Sequence, residues 1–192
     1  MIPELSNIPK GLKFFPRALT YQEAEDCFHR LLVEVEWRQP VITLFSRPQP
    51  LPRLIAWYGD PGATYTYSGT ENIAPNWGPD IIRTLRAVAE EMSGIKYNAV
   101  LVQQYRDGRD SVNWHADNEP GLSGNIASLS LGATRRFQIR EKPKGPIESI
   151  ELPSGSLLIM PDDYQKTHLH SIPKTSRPVG PRINLTFRQV SV

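Results

Sequence analysis

Arg182-Ile183-Asn184-Leu185-Thr186-Phe187-Arg188, near the end of the chain, alternates strictly between polar and apolar residues. In an extended strand successive side chains point to opposite faces. Arg182, Asn184, Thr186 and Arg188 therefore share one face, and Ile183, Leu185 and Phe187 the other. Working back from this segment, strand-like runs recur at 97–105, 126–131, 136–140, 147–152, 156–160, 168–172 and 183–190. Pro153-Ser154-Gly155 and Asp107-Gly108 mark turns between them. So many short strands predict a mainly β (α+β) protein built on a sandwich or jelly roll.

The first half reads differently. Thr20-Tyr21-Gln22-Glu23 is a capping-box pattern, and behind it Ala24, Cys27, Phe28, Leu31, Leu32 and Val35 recur at helical spacing. A second helix is predicted after Gly78-Pro79, with Ile81, Ile82, Leu85, Val88, Ala89 and Met92 on one face and Gly94 at its exit. Between the helices, a stretch rich in proline and glycine holds strand-like pieces at 41–45 and 64–67. The expected organisation is one domain over 1–192, with a helical, loop-rich half (about 1–95) covering a β core (about 96–192).

Apolar residues make up 39% of the 192 and charged ones 22%, a globular balance that excludes a disordered chain. Lys plus Arg is 22 against 20 for Asp plus Glu, and the resulting +2 neither demands nor excludes nucleic acid. The single cysteine, Cys27, rules out an intrachain disulfide and an all-cysteine zinc site. No apolar run approaches the ~18 residues of a membrane span. Residues 1–10 lack a signal peptide's apolar centre, so a cytoplasmic setting without membrane contact is expected.

His115-Ala116-Asp117 sets an imidazole and a carboxylate on one side of an extended segment. Alone, the pair reads equally well as a surface turn into Glu119-Pro120. Some 50 residues on comes His168-Leu169-His170. Two histidines and a carboxylate form the facial triad that holds Fe(II) and leaves three positions open for O2 and a chelating co-substrate. Catalytic zinc competes, although no HExxH helix exists here. Spacing does not choose between His168 and His170. If Arg182 and Arg188 face the interior they need anions, because unpaired buried charge is expensive, and a metal-chelating dicarboxylate would supply them. Facing outward, they are a solvated pair.

Further stretches fall into a consistent order from about residue 40 to 190: Pro52-Arg53-Leu54-Ile55-Ala56-Trp57-Tyr58-Gly59, Tyr65-Thr66-Tyr67-Ser68-Gly69, Tyr105-Arg106-Asp107-Gly108 and Trp114-His115-Ala116-Asp117. They continue through Ile126-Ala127-Ser128-Leu129-Ser130-Leu131-Gly132-Ala133-Thr134-Arg135, Gly155-Ser156-Leu157-Leu158-Ile159-Met160 and His170-Ser171-Ile172-Pro173, ending with Pro181 and the alternating segment above. In these the chain resembles the AlkB-type Fe(II)- and 2-oxoglutarate-dependent dioxygenases, which repair alkylated nucleic-acid bases. The resemblance implies a double-stranded β-helix (jelly-roll) core with flanking N-terminal helices. It implies Fe(II), 2-oxoglutarate and O2, with His115, Asp117 and His170 on the metal and His168 outside it. It gives Arg182, helped by Tyr105, to the distal carboxylate of 2-oxoglutarate, and sets Gln103, Asn184, Thr186 and Arg188 around the co-substrate. Where the family usually has Asn, this chain has Gln103; where near relatives carry a second Asp after the metal-binding one, it has Asn118.

On the substrate side the resemblance implies that Phe45, flanked by Ser46 and Arg47, wedges into the base stack. Tyr65, Tyr67 and Ser68 belong to the base pocket, and Asn118 and Glu119 compete for the flipped base. Arg53, Arg135, Arg136, Arg140, Lys142 and Lys144 form a candidate phosphate-facing set, against the plainer reading of a solvated face. Trp57 and Tyr58 read as scaffold, Cys27 as core and His29 as surface. The expected activity is oxidative removal of N-methyl groups of the 1-methyladenine and 3-methylcytosine type from DNA, with RNA as a second candidate. 2-Oxoglutarate goes to succinate and the methyl leaves as formaldehyde. A flattened lesion preference is expected from Asn118. A monomer is expected, working at the nucleoid or in the nucleus according to the cell. The alternatives are a hydroxylase of a small molecule or protein, and a non-catalytic nucleic-acid-binding module.

Overall fold

The computed structural model describes residues 8–44, 47–67, 70–74 and 76–191. In chain order its first half holds β1 (Lys13–Phe15), α1 (Tyr21–Glu34), β2 (Val41–Leu44), β3 (Arg47–Pro50), β4 (Leu54–Gly59), β5 (Thr64–Tyr67), β6 (Thr70–Ile73) and α2 (Asp80–Ser93). The second half runs β7 (Ala99–Tyr105), β8 (Val112–His115), β9 (Leu122–Gly132), β10 (Arg135–Glu141), β11 (Glu148–Leu152), β12 (Ser156–Met160), α3 (Tyr164–Thr167), β13 (His168–Ile172) and β14 (Arg182–Val190). Both long helices form for the reasons the sequence offers. Thr20 Oγ1 accepts from the Glu23 amide while the Glu23 carboxylate accepts from the Thr20 amide at 2.8 Å, closing the capping box. At the end of α2, Gly94 takes φ 72°, a conformation that favours glycine, and its amide donates to Glu90 O.

Two antiparallel sheets make the core. The larger has the order β1-β12-β9-β14-β7-β4, the smaller β11-β10-β13-β8. One face of the larger sheet packs on the helices: Ile183, Leu185 and Phe187, fully buried, join Leu31 and Phe28 of α1 and Ile82 and Leu85 of α2 in a single cluster. Burial of each such side chain contributes roughly 1.5–3 kcal/mol. The opposite face looks toward the smaller sheet, where Phe137, Ile139, Ile172 and Met160 fill the space. β14 is paired on both sides, with Asn184 opposite Gln103 and Ser130, Arg182 opposite Tyr105, and Thr186 opposite Ser128. Side-by-side residues of a pleated sheet face one way, so these polar groups form rows on the inner face.

The jelly roll expected from the strand count is present. The first half does more than cover it: β1 and β4 are the two edges of the larger sheet. β4 was not legible because Leu54–Gly59 carries no polar alternation. β3 was hidden by Pro48 and Pro50, which a two-stranded, solvent-exposed hairpin tolerates. β9 runs from Leu122, four residues earlier than its apolar core suggests. Among the described residues no helix is long and apolar enough to cross a membrane.

Candidate active site

Between the sheets lies a cavity of about 340 Å³. The smaller sheet brings His115, at the end of β8, directly opposite His170 on β13, and Asp117 follows just beyond the ladder. One ligand atom from each of the three lies within 4.8 Å of the others. His115 Nε2 is 3.7 Å and His170 Nε2 3.6 Å from separate oxygens of Asp117. His115 Nδ1 meets the Asn113 carbonyl at 2.8 Å, which fixes the tautomer and turns the Nε2 lone pair inward. Burial, reinforced by the neighbouring His170, lowers the His115 pKa to about 4, so that ring is neutral at physiological pH. Burial alone would raise the Asp117 carboxyl; Arg188, whose Nη2 donates to it at 2.9 Å, and the two imidazoles outweigh that and hold it well below the usual range. Two imidazoles and a carboxylate fit a divalent transition metal with an open face.

The floor of the cavity is β14. Arg182, Asn184, Thr186 and Arg188 all line it, so the alternation points these groups inward. Arg182 is 1% exposed; its Nη2 donates to Ser130 Oγ at 2.8 Å and to Asn184 Oδ1 at 2.7 Å. Its Nε and Nη1 have no partner among the described residues, and the guanidinium lies 5.2 Å from the centre of the Tyr105 ring. Burial lowers its pKa to about 10, which still leaves it charged at neutral pH. A buried cation with two unmatched donors and no carboxylate partner is costly unless an anion completes it. Asn184 is held by Ser128 Oγ at 3.0 Å and donates to Thr186 Oγ1 at 2.8 Å, and Gln103 lines the cavity beside it.

His168 is not in the cluster. Its ring stacks on Tyr164 at 3.9 Å and its Nδ1 meets Thr167 Oγ1. Of the two residues after Asp117, Glu119 lines the cavity, whereas Asn118 is exposed and borders a separate cavity of about 140 Å³. The chain turning out of β8 sends the two side chains different ways, Glu119 to the cavity and Asn118 to the surface. Arg47 is exposed on the β2–β3 hairpin, and Tyr65 and Tyr67 belong to the β5–β6 hairpin. Phe45, Ser46 and Ser68 lie outside the described residues. Tyr58 is buried among the helices and Trp57 is half-buried, as scaffold. Cys27 is buried and His29 exposed.

The phosphate-facing set does not hold together. Arg135 is buried and donates to the carbonyls of Asp107, Asp110 and Pro173; Arg53 is buried against Ser111 O. Arg136 pairs with Glu151, Arg140 lies over the Trp114 ring, and Lys142 donates to Gln165 O. Lys144 alone of the six is simply exposed. Three contributors escaped the sequence. Ser128 and Ser130 were legible in principle, since they alternate with Ala127, Leu129 and Leu131 as β14 does. Gln165, whose Oε1 accepts from the Asp117 amide at 3.0 Å, carries no signal in its four-residue helix.

Comparison with known proteins agrees with this geometry. The sequence pattern of the 2OG-Fe(II) oxygenase superfamily matches residues 11–188. The alpha-ketoglutarate-dependent dioxygenase alkB homolog 3 of Rattus norvegicus is 39% identical over 202 residues, covering 97% of this chain and 68% of that protein. The DNA oxidative demethylase ALKBH2 of Mus musculus is 36% identical over 181 residues, covering 88% and 75%. The solved structure of OsALKBH1, 16% identical, superposes with a TM-score of 0.66 over 95% of this chain and 99% of that one, which speaks for the fold.

Proposed function

The chain belongs to the 2OG-Fe(II) oxygenase superfamily, in its AlkB-type branch, and from that premise we propose that it demethylates alkylated DNA bases with His115, Asp117 and His170 as its iron ligands. The observation that carries this is the buried Arg182, whose unmatched donors face the same cavity as the two-histidine, one-carboxylate cluster. An Fe(II)/2-oxoglutarate dioxygenase needs an anchored dicarboxylate beside its metal.

When bound, the iron supplies O2 activation coupled to decarboxylation of 2-oxoglutarate to succinate and CO2, with hydroxylation of the N-methyl carbon. The chain's own residues do the rest. Arg182 and Tyr105 take the distal carboxylate; Gln103, Asn184, Thr186 and Arg188 surround the co-substrate. Arg188 also keeps Asp117 ionised and turned toward the histidines. Leu101, Phe137, Met160 and Ile172 line the cavity and exclude water. The hydroxymethyl group on a ring nitrogen then breaks its C–N bond, releasing formaldehyde and the free base. A base in a duplex must first leave the stack. Phe45 serves as wedge, with Arg47 beside it, and Tyr65, Tyr67 and Ser68 form the base pocket. Methylated RNA is a second substrate in this proposal, and the enzyme acts as a monomer. It works wherever DNA lies, in the nucleoid or the nucleus.

Lesion choice falls to Glu119. A carboxylate accepts from the exocyclic amino group of 1-methyladenine or 3-methylcytosine and complements their positive rings. A charged contact is worth about 1.5–3 kcal/mol and a neutral one about 1. Glu119→Gln should therefore lower the ratio of kcat/KM for 3-methylcytosine over 3-methylthymine by roughly three- to thirtyfold, while Asn118→Asp leaves it in place. Mass spectrometry of a panel of methylated oligonucleotides, incubated with Fe(II) and 2-oxoglutarate, reads both this ratio and the activity itself. No lesion repaired by the wild-type chain would overturn the proposed function; a ratio that follows Asn118 instead would return discrimination to that residue.

A further inference from the structure

We propose that Gln165 is a positioning residue for the metal centre: it fixes the main chain of Asp117 and so aims the carboxylate at His115 and His170. The proposal rests on these three residues being the metal ligands. Pairing of β8 with β13 ends at His115, so Asp117 lies beyond the ladder and its amide has no strand partner. The Gln165 side chain replaces that partner, accepting from the Asp117 amide at 3.0 Å across 48 residues of sequence.

Gln165 is itself held from several sides. It is 4% exposed, its Nε2 donates to Met160 Sδ at 3.6 Å, and its carbonyl accepts from Lys142 Nζ at 2.9 Å. The Lys142 amide also donates to Thr167 O at 2.8 Å, so α3 is pinned to the end of β10. Asp117 is thus gripped twice, by Gln165 at its main chain and by Arg188 at its carboxylate. Arg188 alone could hold the carboxylate in several directions; with the amide fixed as well, one remains. A buried amide left without an acceptor is unfavourable, so loss of the Gln165 oxygen moves residues 116–121 rather than leaving them in place.

The test uses the 192-residue chain and metals that need no turnover. Gln165→Met keeps length and burial but removes the acceptor. Its Kd for Mn(II), read by electron paramagnetic resonance, should rise by about ten- to a hundredfold, the range found when partners of metal ligands are removed. The Co(II) absorption spectrum, which reports ligand geometry, should change while Tm stays within a few degrees. Gln165→Asn, withdrawn by one methylene, should behave like the Met variant and decides the matter if that variant does not fold. A Mn(II) Kd within twofold of wild type and an unchanged Co(II) spectrum in the folded variant would overturn the proposal. Asp117→Ala in the same titration separates the two claims. If it too binds Mn(II) like wild type, the assignment of the metal ligands has failed; if it loses the metal while the Gln165 variants keep it, only the role of Gln165 has.

Discussion

Asp117→Ala should reduce demethylation to background and abolish any conversion of 2-oxoglutarate to succinate that needs no nucleic acid. The carboxylate is the only anionic donor in the cluster, and without it two imidazoles remain. The substitution also strips Arg188 of a partner at 2.9 Å inside the protein. Removing one member of a buried pair typically destabilises by about 3–5 kcal/mol, so Asp117→Asn, which keeps the shape, is the companion variant. His170→Ala should match both. His168→Ala should keep most activity, because its ring stacks on Tyr164 outside the cluster. Succinate release with and without methylated DNA measures all four. Turnover retained in Asp117→Ala contradicts the metal assignment, and the reverse result at the two histidines exchanges their roles.

Arg182→Ala should raise the KM for 2-oxoglutarate by roughly tenfold or more. A charge-assisted contact to a carboxylate is worth about 1.5–3 kcal/mol, and each 1.4 kcal/mol is a factor of ten. In the proposed site the contact is made at the far end of the co-substrate, the same before and during reaction, so the loss should fall on binding rather than on the chemical step. The variant also removes the donor that Ser130 and Asn184 share, so a secondary fall in kcat is expected. Steady-state kinetics with 2-oxoglutarate varied at saturating methylated oligonucleotide checks it. An unchanged KM means another group anchors the anion.

The inward polar face of β14 is legible because alternation is a geometric consequence of the strand, and the structure settles only which face is inner. The capping box of α1 and the Gly94 exit of α2 are equally local. His115 and Asp117 are legible as a pair, but spacing leaves His168 and His170 equivalent; the pairing of His170 with His115 across β8 and β13 separates them. The basic residues were the least legible. Arg135 and Arg53 look like surface cations in sequence, yet both are buried donors to main-chain carbonyls, a use that depends on loops distant in the chain. Gln165 is of the same kind, since its partner is 48 residues away. Asn118 and Glu119 are adjacent in sequence, and only the turn of the backbone after β8 decides which one meets the cavity.

The most direct test is stoichiometry. Wild-type chain with Fe(II), ascorbate, limiting 2-oxoglutarate and a single-stranded oligonucleotide containing one 1-methyladenine is assayed for succinate, formaldehyde and restored adenine. Restored adenine and formaldehyde should appear one for one, succinate production should rise on adding the methylated strand, and Asp117→Ala should yield none of the three. Succinate formed at the same rate with methylated and unmethylated strands, without formaldehyde or restored adenine, would contradict the proposed function.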